Sequence, residues 1–323
     1  LIRRIKFEKH SLGDCLTFAK NIEKMILKAN KLIKRYGQFT ALDNVSFRVE
    51  KGDIFGFLGP NGAGKTTTIR ILSSVLKPDS GSVEIDGHDA SKEPDYIKSI
   101  INALPELFSC YDWMSATEYL GLFAKLYHSH PDIKELLKSV GLDALSRKPI
   151  GTYSRGMKQR LGIARSLINS PKLILLDEPT SGLDPIGRRE IHDLLININK
   201  TKDTTILLST HLLDDVDRLC NRIALIDNGR IVQEGHLEEL KKSDMQTYLI
   251  KTKTNPKHFL QPPNVKISVS EQGYLVQVDS GITLNYVLSE LIKNKIEILE
   301  VIEQKRTLEE LFFKLTGNNR KLL

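Results

Sequence analysis

Apolar positions along this chain follow two periods, and where the period changes the element changes. From Met25 to about Glu50 two strand-like runs flank Tyr36-Gly37, and Ala41 to Val49 alternates apolar and polar side chains as a half-buried strand does. Lys51-Gly52-Asp53 turns the chain into an apolar stretch that ends at Leu58, and Thr67 to Leu72 then has helical spacing. Turns at Lys77-Pro78-Asp79-Ser80-Gly81 and Asp86-Gly87 bracket a short strand, Ser82 to Ile85. These small strands predict an antiparallel sheet beside a main parallel one. Residues 107–168 carry helical patterns instead, notably Thr117 to Tyr127 and Ile133 to Val140, separated by Pro131 and Gly141. A helical subdomain inserted into an α/β core is expected there.

The main sheet resumes at Lys172 to Leu176, a continuous apolar run of the kind covered on both faces, and again at Thr204 to Leu208. Val216 to Leu219 reads as a helix end and Ile223 to Ile226 as a strand, with Asp227-Asn228-Gly229-Arg230 a hairpin turn into Ile231 to Gln233. Beyond Leu240 the character changes. Tyr248 to Lys251, Val265 to Val269 and Tyr274 to Val278 alternate like strands, while Leu284 to Lys293 and Leu308 to Leu315 have helical spacing. Pro262 and Pro263 keep the first two of these strands apart. The expected organisation is a main domain over residues 25–243, a small α+β module over 244–323, and residues 1–24 as a leading segment.

A length of 323 residues leaves room for this arrangement, and 40% apolar residues are enough for a real core. No window reaches 18 uninterrupted apolar residues, so no bilayer span is expected. Cys15, Cys110 and Cys220 are widely spaced and form no Cys-x-x-Cys pair, which argues against a disulfide framework and a zinc site. No secretory signal is evident, and the cytosol is the expected compartment. Residues 1–36 hold ten Lys/Arg against three acids, so the whole formal charge of +7 resides there. Such a segment could touch anionic lipid headgroups or RNA, but no aromatic interleaving accompanies the charge, and a solvated tail is the favoured reading. Residues 1–24 read either as an extension or as a start placed too early.

The chemistry begins at Gly59-Pro60-Asn61-Gly62-Ala63-Gly64-Lys65-Thr66, with a strand before it and a helix after it. Glycines at this spacing let successive backbone N–H groups turn inward around phosphate oxygens, and the positive end of the following helix points at the same anion. Lys65 adds a mobile point charge for the outer phosphates, and the Thr66 hydroxyl is placed to ligate magnesium. A nucleoside triphosphate is therefore expected. Leu173-Ile174-Leu175-Leu176-Asp177-Glu178 puts two carboxylates at the carboxyl end of a buried strand, where open α/β sheets bind ligands. Asp177 is the candidate to hold the metal and Glu178 the candidate to polarise the attacking water. His211 directly follows another apolar strand and reaches the same sheet edge.

Tyr153-Ser154-Arg155-Gly156-Met157-Lys158-Gln159-Arg160-Leu161 adds the deciding pattern. With the glycine-rich loop, the Asp177-Glu178 strand, Ser181-Gly182-Leu183-Asp184 and Ser209-Thr210-His211, it resembles the nucleotide-binding subunit of ATP-binding cassette transporters over about residues 26–240. The resemblance implies a P-loop NTPase core of RecA-like α/β type, with a small antiparallel β region, an inserted helical subdomain and a small C-terminal α+β domain. It implies ATP and Mg²⁺ as ligands. It assigns the loop from Gly59 to Thr66, with Thr67, to the phosphates, Tyr36 to adenine stacking, and His211 to the terminal phosphate and water. Ser154 and Gly156 would contact ATP bound by a second copy, and Asp184 would sit at the dimer seam.

Two positions depart from the family pattern. The Leu-Ser-Gly-Gly-Gln segment reads Tyr153-Ser154-Arg155-Gly156-Met157, and a metal-binding Gln is replaced by Glu106 in Leu104-Pro105-Glu106. A Glu can still ligate magnesium, at the cost of extra negative charge beside the phosphates. These features, with the extra domain ending near Leu308 to Gly317, resemble the exporter-type members of bacteria and archaea. The expected partners are a second ATP-binding subunit and a separate membrane permease pressing on Glu106 to Trp113, at the cytoplasmic face of the membrane; no nucleic acid is expected. A soluble cassette ATPase of translation or DNA repair is the rival reading, although such proteins usually carry two cassettes or coiled-coil arms, and this chain has one P-loop and no sustained heptads.

Overall fold

The computed structural model describes residues 24–143, 147–241, 245–253, 265–270, 273–279, 284–304 and 307–316. The leading segment with Cys15, the Pro262-Pro263 pair and Gly317 lie outside the described residues. The chain divides into two compact units between Gly235 and His236, earlier than the break expected after residue 243.

In the first unit the paired runs around Tyr36-Gly37 form a long antiparallel hairpin, β1 (Met25–Tyr36) and β2 (Phe39–Glu50). The short strands β4 (Ser80–Ile85) and β5 (His88–Asp89) extend it into an antiparallel sheet of order β2-β1-β4-β5. The second sheet has order β10-β9-β3-β8-β7-β6 among the described residues. Its strands are β3 (Ile54–Leu58), β6 (Ile101–Leu104), β7 (Leu173–Asp177), β8 (Thr205–Thr210), β9 (Arg222–Asp227) and β10 (Arg230–His236). β3, β7 and β8 are buried along their whole length, which is why their sequences are apolar runs rather than alternations. Phe47 of β2 packs on Phe55 and Phe57 of β3 with ring centroids 5.7 and 5.1 Å apart, which fuses the two sheets into one core.

Helices α1 (Lys65–Leu72), α2 (Pro94–Ile100), α3 (Ala116–Leu126), α4 (Ile133–Ser139), α5 (Arg155–Ser166), α6 (Pro185–Lys202) and α7 (Leu213–Leu219) complete this unit. The sequence marks several starts: Ser115 and Glu118 form a capping box, Asp132 caps α4, and Ser154 caps α5. α3, α4 and α5 pack on one another, burying Tyr119, Leu120, Leu137 and Leu161. The Arg165 guanidinium lies over the rings of Phe108 and Phe123, 5.4 and 5.2 Å from their centroids, and donates to the Tyr119 hydroxyl at 3.2 Å. Phe108 is therefore drawn inward, and it rests on Gly162, where a Cβ would fall 2.6 Å from its ring.

In the second unit β11 (Met245–Thr252), β12 (Val265–Ser270), β13 (Gly273–Asp279) and β14 (Ile298–Gln304) form an antiparallel sheet of order β12-β13-β11-β14. Helix α9 (Leu284–Lys293) packs Val287 and Leu291 into a core with Tyr248, Ile250, Val276 and Val278. α8 (Leu237–Lys241) and α10 (Leu308–Thr316) flank the module in sequence. Among the described residues no helix is long and apolar enough to cross a membrane.

Candidate active site

Strand register builds the site. Leu58 pairs with Thr210, Asp177 with Ser209 and Leu104 with Leu176, so the chain leaves four parallel strands at nearly one level of the sheet. The residues that follow are the glycine-rich loop, Glu178, His211 and Pro105-Glu106, all at carboxyl ends. They border a cavity of about 590 Å³. Asn61, Gly62, Gly64, Lys65, Thr66 and Thr67 form one wall, and Glu106, Glu178 and His211 approach from the strand ends.

Two positions of the loop leave no room for a side chain. Gly64, the cap of α1, has φ +107°, and a Cβ there would stand 2.7 Å from Leu42 Cδ2 and 2.8 Å from the Ala41 carbonyl. Gly59 lies behind the loop with no room for a Cβ beside the Ile226 carbonyl. Pro60 and buried Ala63 also stand behind the wall rather than in it, joined by the Ala63 N–H to the Pro60 carbonyl.

Lys65 is held rather than mobile. Its side chain is 6% exposed, and its ammonium donates to the carbonyls of Gly59 (2.9 Å) and Pro60 (3.2 Å) and lies 3.2 Å from Glu178 Oε1. Oε2 of the same carboxyl meets His211 Nδ1 at 2.9 Å. One glutamate thus joins the P-loop cation to the imidazole at the next strand end. Glu178 reaches both because its backbone turns left-handed, φ +50°, directly after β7; for a residue with a Cβ this costs on the order of 1 kcal/mol. The turn is pinned by the Glu178 N–H, which donates to the carbonyl and hydroxyl oxygens of Ser209 at 3.1 Å each. Ser209 in turn donates its hydroxyl to Asp177 Oδ1. Asp177 is buried and does not line the cavity, whereas Thr66 and Glu106 do.

Tyr36 stands half-exposed at the tip of the β1–β2 hairpin and lines the cavity mouth. Ser154, Gly156 and Asp184 do not line it. Ser154 spends its hydroxyl accepting the Met157 N–H at 3.2 Å, and Asp184 caps α6 by accepting the Gly187 N–H at 3.0 Å. Both are exposed, and Gly156 has open space where a Cβ would be. Arg155, which replaces a family glycine, lays its guanidinium against Gly182.

A family model described as "ABC transporter" matches residues 42–181. The bacitracin transport ATP-binding protein BcrA of Bacillus licheniformis is 37% identical over 306 residues, spanning 90% of this chain and 97% of that protein. The chain belongs to the ATP-binding subunits of ABC transporters. The daunorubicin resistance ATP-binding protein DrrA3 of Streptomyces coeruleorubidus is similar too, 36% identical over 90% of this chain and 95% of its own. A dimeric post-hydrolysis structure of the ATP-binding cassette MJ0796, bound to ADP and Pi, is 27% identical with a TM-score of 0.59, covering 66% of this chain and 99% of that one. As a member of this family the subunit binds ATP and hydrolyses it to power transport.

Three further residues of this ABC ATPase line the cavity: Phe39, Ala41 and Ser181. Phe39 pairs with Tyr36 across the hairpin turn and is 61% exposed, so two aromatic rings frame the mouth. Its signal was legible as an aromatic two residues past Gly37. Both cysteines among the described residues are free, and burial pushes the Cys220 thiol far up, which makes it an inert packing group.

Proposed function

We propose that this ATPase works as one half of a head-to-tail pair, with ATP held between the loop Gly59 to Thr67 of one copy and Ser154 and Gly156 of the other. The observation that carries the reading is the chain Lys65–Glu178–His211, with both contacts to Glu178 near 3 Å at the edge of one cavity. Glu178 acts as the base for the attacking water, His211 orients it, and Lys65 steadies the outer phosphates. Tyr36 and Phe39 offer ring faces to the adenine. The separation of Ser154, Gly156 and Asp184 from the cavity supports a site completed from outside.

The donor set suits magnesium. Thr66 brings a hydroxyl, Asp177 and Glu106 bring carboxylates, and no cluster of three His, Cys, Asp or Glu occurs among the described residues. Mg²⁺ prefers one or two carboxylates with phosphate and water completing the shell. Thr66, Asp177 and Glu106 would hold the ion, which neutralises phosphate charge when bound.

A separate membrane permease receives the work, and the leaning is towards export, as the relatives' names concern bacitracin transport and daunorubicin resistance. Leu107, Tyr111 and Trp113 are 88, 50 and 74% exposed in the loop after Glu106, an apolar surface suited to permease helices at the cytoplasmic face. Replacing Glu178 with Gln tests the chemistry. Turnover should fall by roughly 10²- to 10⁴-fold, about 3–5 kcal/mol of barrier, with ATP affinity retained and an ATP-dependent dimer trapped on gel filtration. Hydrolysis at the wild-type rate would sink the base assignment.

A further inference from the structure

Behind the Glu178–His211 pair lies a carboxylate that the chemistry above leaves unused. Asp215, in the first turn of α7, is 0% exposed. Its Oδ2 accepts the hydroxyls of Thr180 at 2.5 Å and Thr210 at 3.0 Å, and its Oδ1 meets His192 Nε2 at 2.8 Å. Each partner belongs to a different functional segment. Thr180 sits in the turn two residues past Glu178. Thr210 ends β8 directly before His211, and its oxygen also accepts the Leu212 N–H at 3.0 Å, so it grips the chain on both sides of that histidine. His192 lies inside α6, the helix that Asp184 caps.

A buried carboxylate is costly unless its oxygens are satisfied. Burial pushes Asp215 up, but the hydrogen bonds from His192, Thr180 and Thr210 outweigh it and hold the carboxyl below its ordinary range. The group is thus an acceptor for three donors that must come to it. Glu178 needs such restraint: its left-handed backbone is tied on one side to Ser209, and Thr180 is the tie on the other.

We propose that Asp215 is a positioning residue for ATP hydrolysis, holding Thr180 and Thr210 on one oxygen to set Glu178 against His211, and keying that pair through His192 to the helix led by Asp184. This rests on the roles given above to Glu178 and His211. Releasing either threonine lets the strained turn relax, and a displacement of about 1 Å at the reacting groups is worth roughly 100-fold in rate. The P-loop meets this network at the Gly59 N–H, which donates to the Thr210 carbonyl at 3.3 Å; that backbone bond does not involve the side chains of Thr180 or Asp215, so replacing them is expected to leave ATP binding nearly unchanged.

The test measures kcat and KM for ATP on the full chain carrying Thr180→Val, Thr180→Ser, Asp215→Asn or Glu178→Gln. Valine keeps the shape of Thr180 without its donor, and serine keeps the donor. We expect Thr180→Val and Asp215→Asn to lower kcat about 10- to 100-fold with KM within about threefold, and Thr180→Ser to stay within about twofold of wild type. A purely structural role would lower the melting temperature of Thr180→Val while leaving kcat per folded molecule unchanged, and that result overturns the proposal. So does equal loss in the serine and valine variants. If Asp215→Asn does not fold, the valine and serine pair decides. Inactive Glu178→Gln beside fully active Thr180→Val refutes the positioning role alone, whereas fully active Glu178→Gln refutes the base assignment on which it stands.

Discussion

Gly62 and Gly64 sit two residues apart in the same loop, both left-handed, with φ +82° and +107°. Alanine at either position meets a backbone penalty on the order of 1–2 kcal/mol, partly offset by about 0.4–1 kcal/mol from the lost freedom of the unfolded chain. The surroundings then separate them. A Cβ on Gly62 meets nothing within 4 Å, whereas one on Gly64 falls 2.7 Å from Leu42 Cδ2 and 2.8 Å from the Ala41 carbonyl. Leu42 is fully buried, so its terminal methyl has little room to move aside, and the Ala41 contact is backbone. Overpacking of this kind adds about 1–3 kcal/mol. At roughly 2–4 °C per kcal/mol for a domain of this size, Gly64→Ala should melt about 2–12 °C below Gly62→Ala. Circular dichroism melts of the two variants without nucleotide supply the comparison, and titration with a fluorescent ATP analogue should show the larger loss of affinity in Gly64→Ala. Equal melting temperatures would refute the argument that β2 packs against the loop and dictates glycine there.

Two further outcomes are expected. Phe39→Ala should raise KM for ATP about fivefold or more, since losing one aromatic face against a base is worth about 1–3 kcal/mol; an unchanged KM would remove Phe39 from the adenine site. Affinity purification of the tagged subunit from detergent-solubilised membranes should recover a polytopic permease, and recovery of ribosomes or DNA in its place would overturn the transport reading.

Much of the site was legible because the chemistry is carried by short contiguous motifs. The run from Gly59 to Thr66, the Asp177-Glu178 step and His211 each sit at a strand end, and their apolar strands were readable as continuous runs. Elements without a contrast in pattern were harder. β14 is missing from the sequence reading because its residues Leu299 to Gln304 are all exposed, so no buried face imposes alternation. α6, the longest described helix, carried legible signals that went unread: Asp184 as cap, Pro185 in the first turn, and Ile191, Leu194, Leu195 and Ile198 at helical spacing. The Asp215 network could not be read at all, because Thr180, His192, Thr210 and Asp215 meet only through packing of α6 and α7 on the sheet. Phe108 and Trp113 belong to one aromatic cluster in sequence, yet Arg165 draws the first inward and the second stays 74% exposed.

The alignment of four strand ends also has a bearing on how the protein comes into being. The glycine-rich loop is translated early, but the strand that closes beside it, β8, ends only at Thr210, and β9 follows later still. A growing chain that has displayed Gly59 to Thr66 has no cavity to offer until most of the first unit has emerged and the central strand has gained both neighbours. ATP would then engage only molecules whose sheet is finished, and at a hundred times its dissociation constant it would deepen their stability by about 2.7 kcal/mol. The fuel of this subunit would in that sense also be a late ligand for its folding, rewarding the completed sheet and ignoring every shorter intermediate.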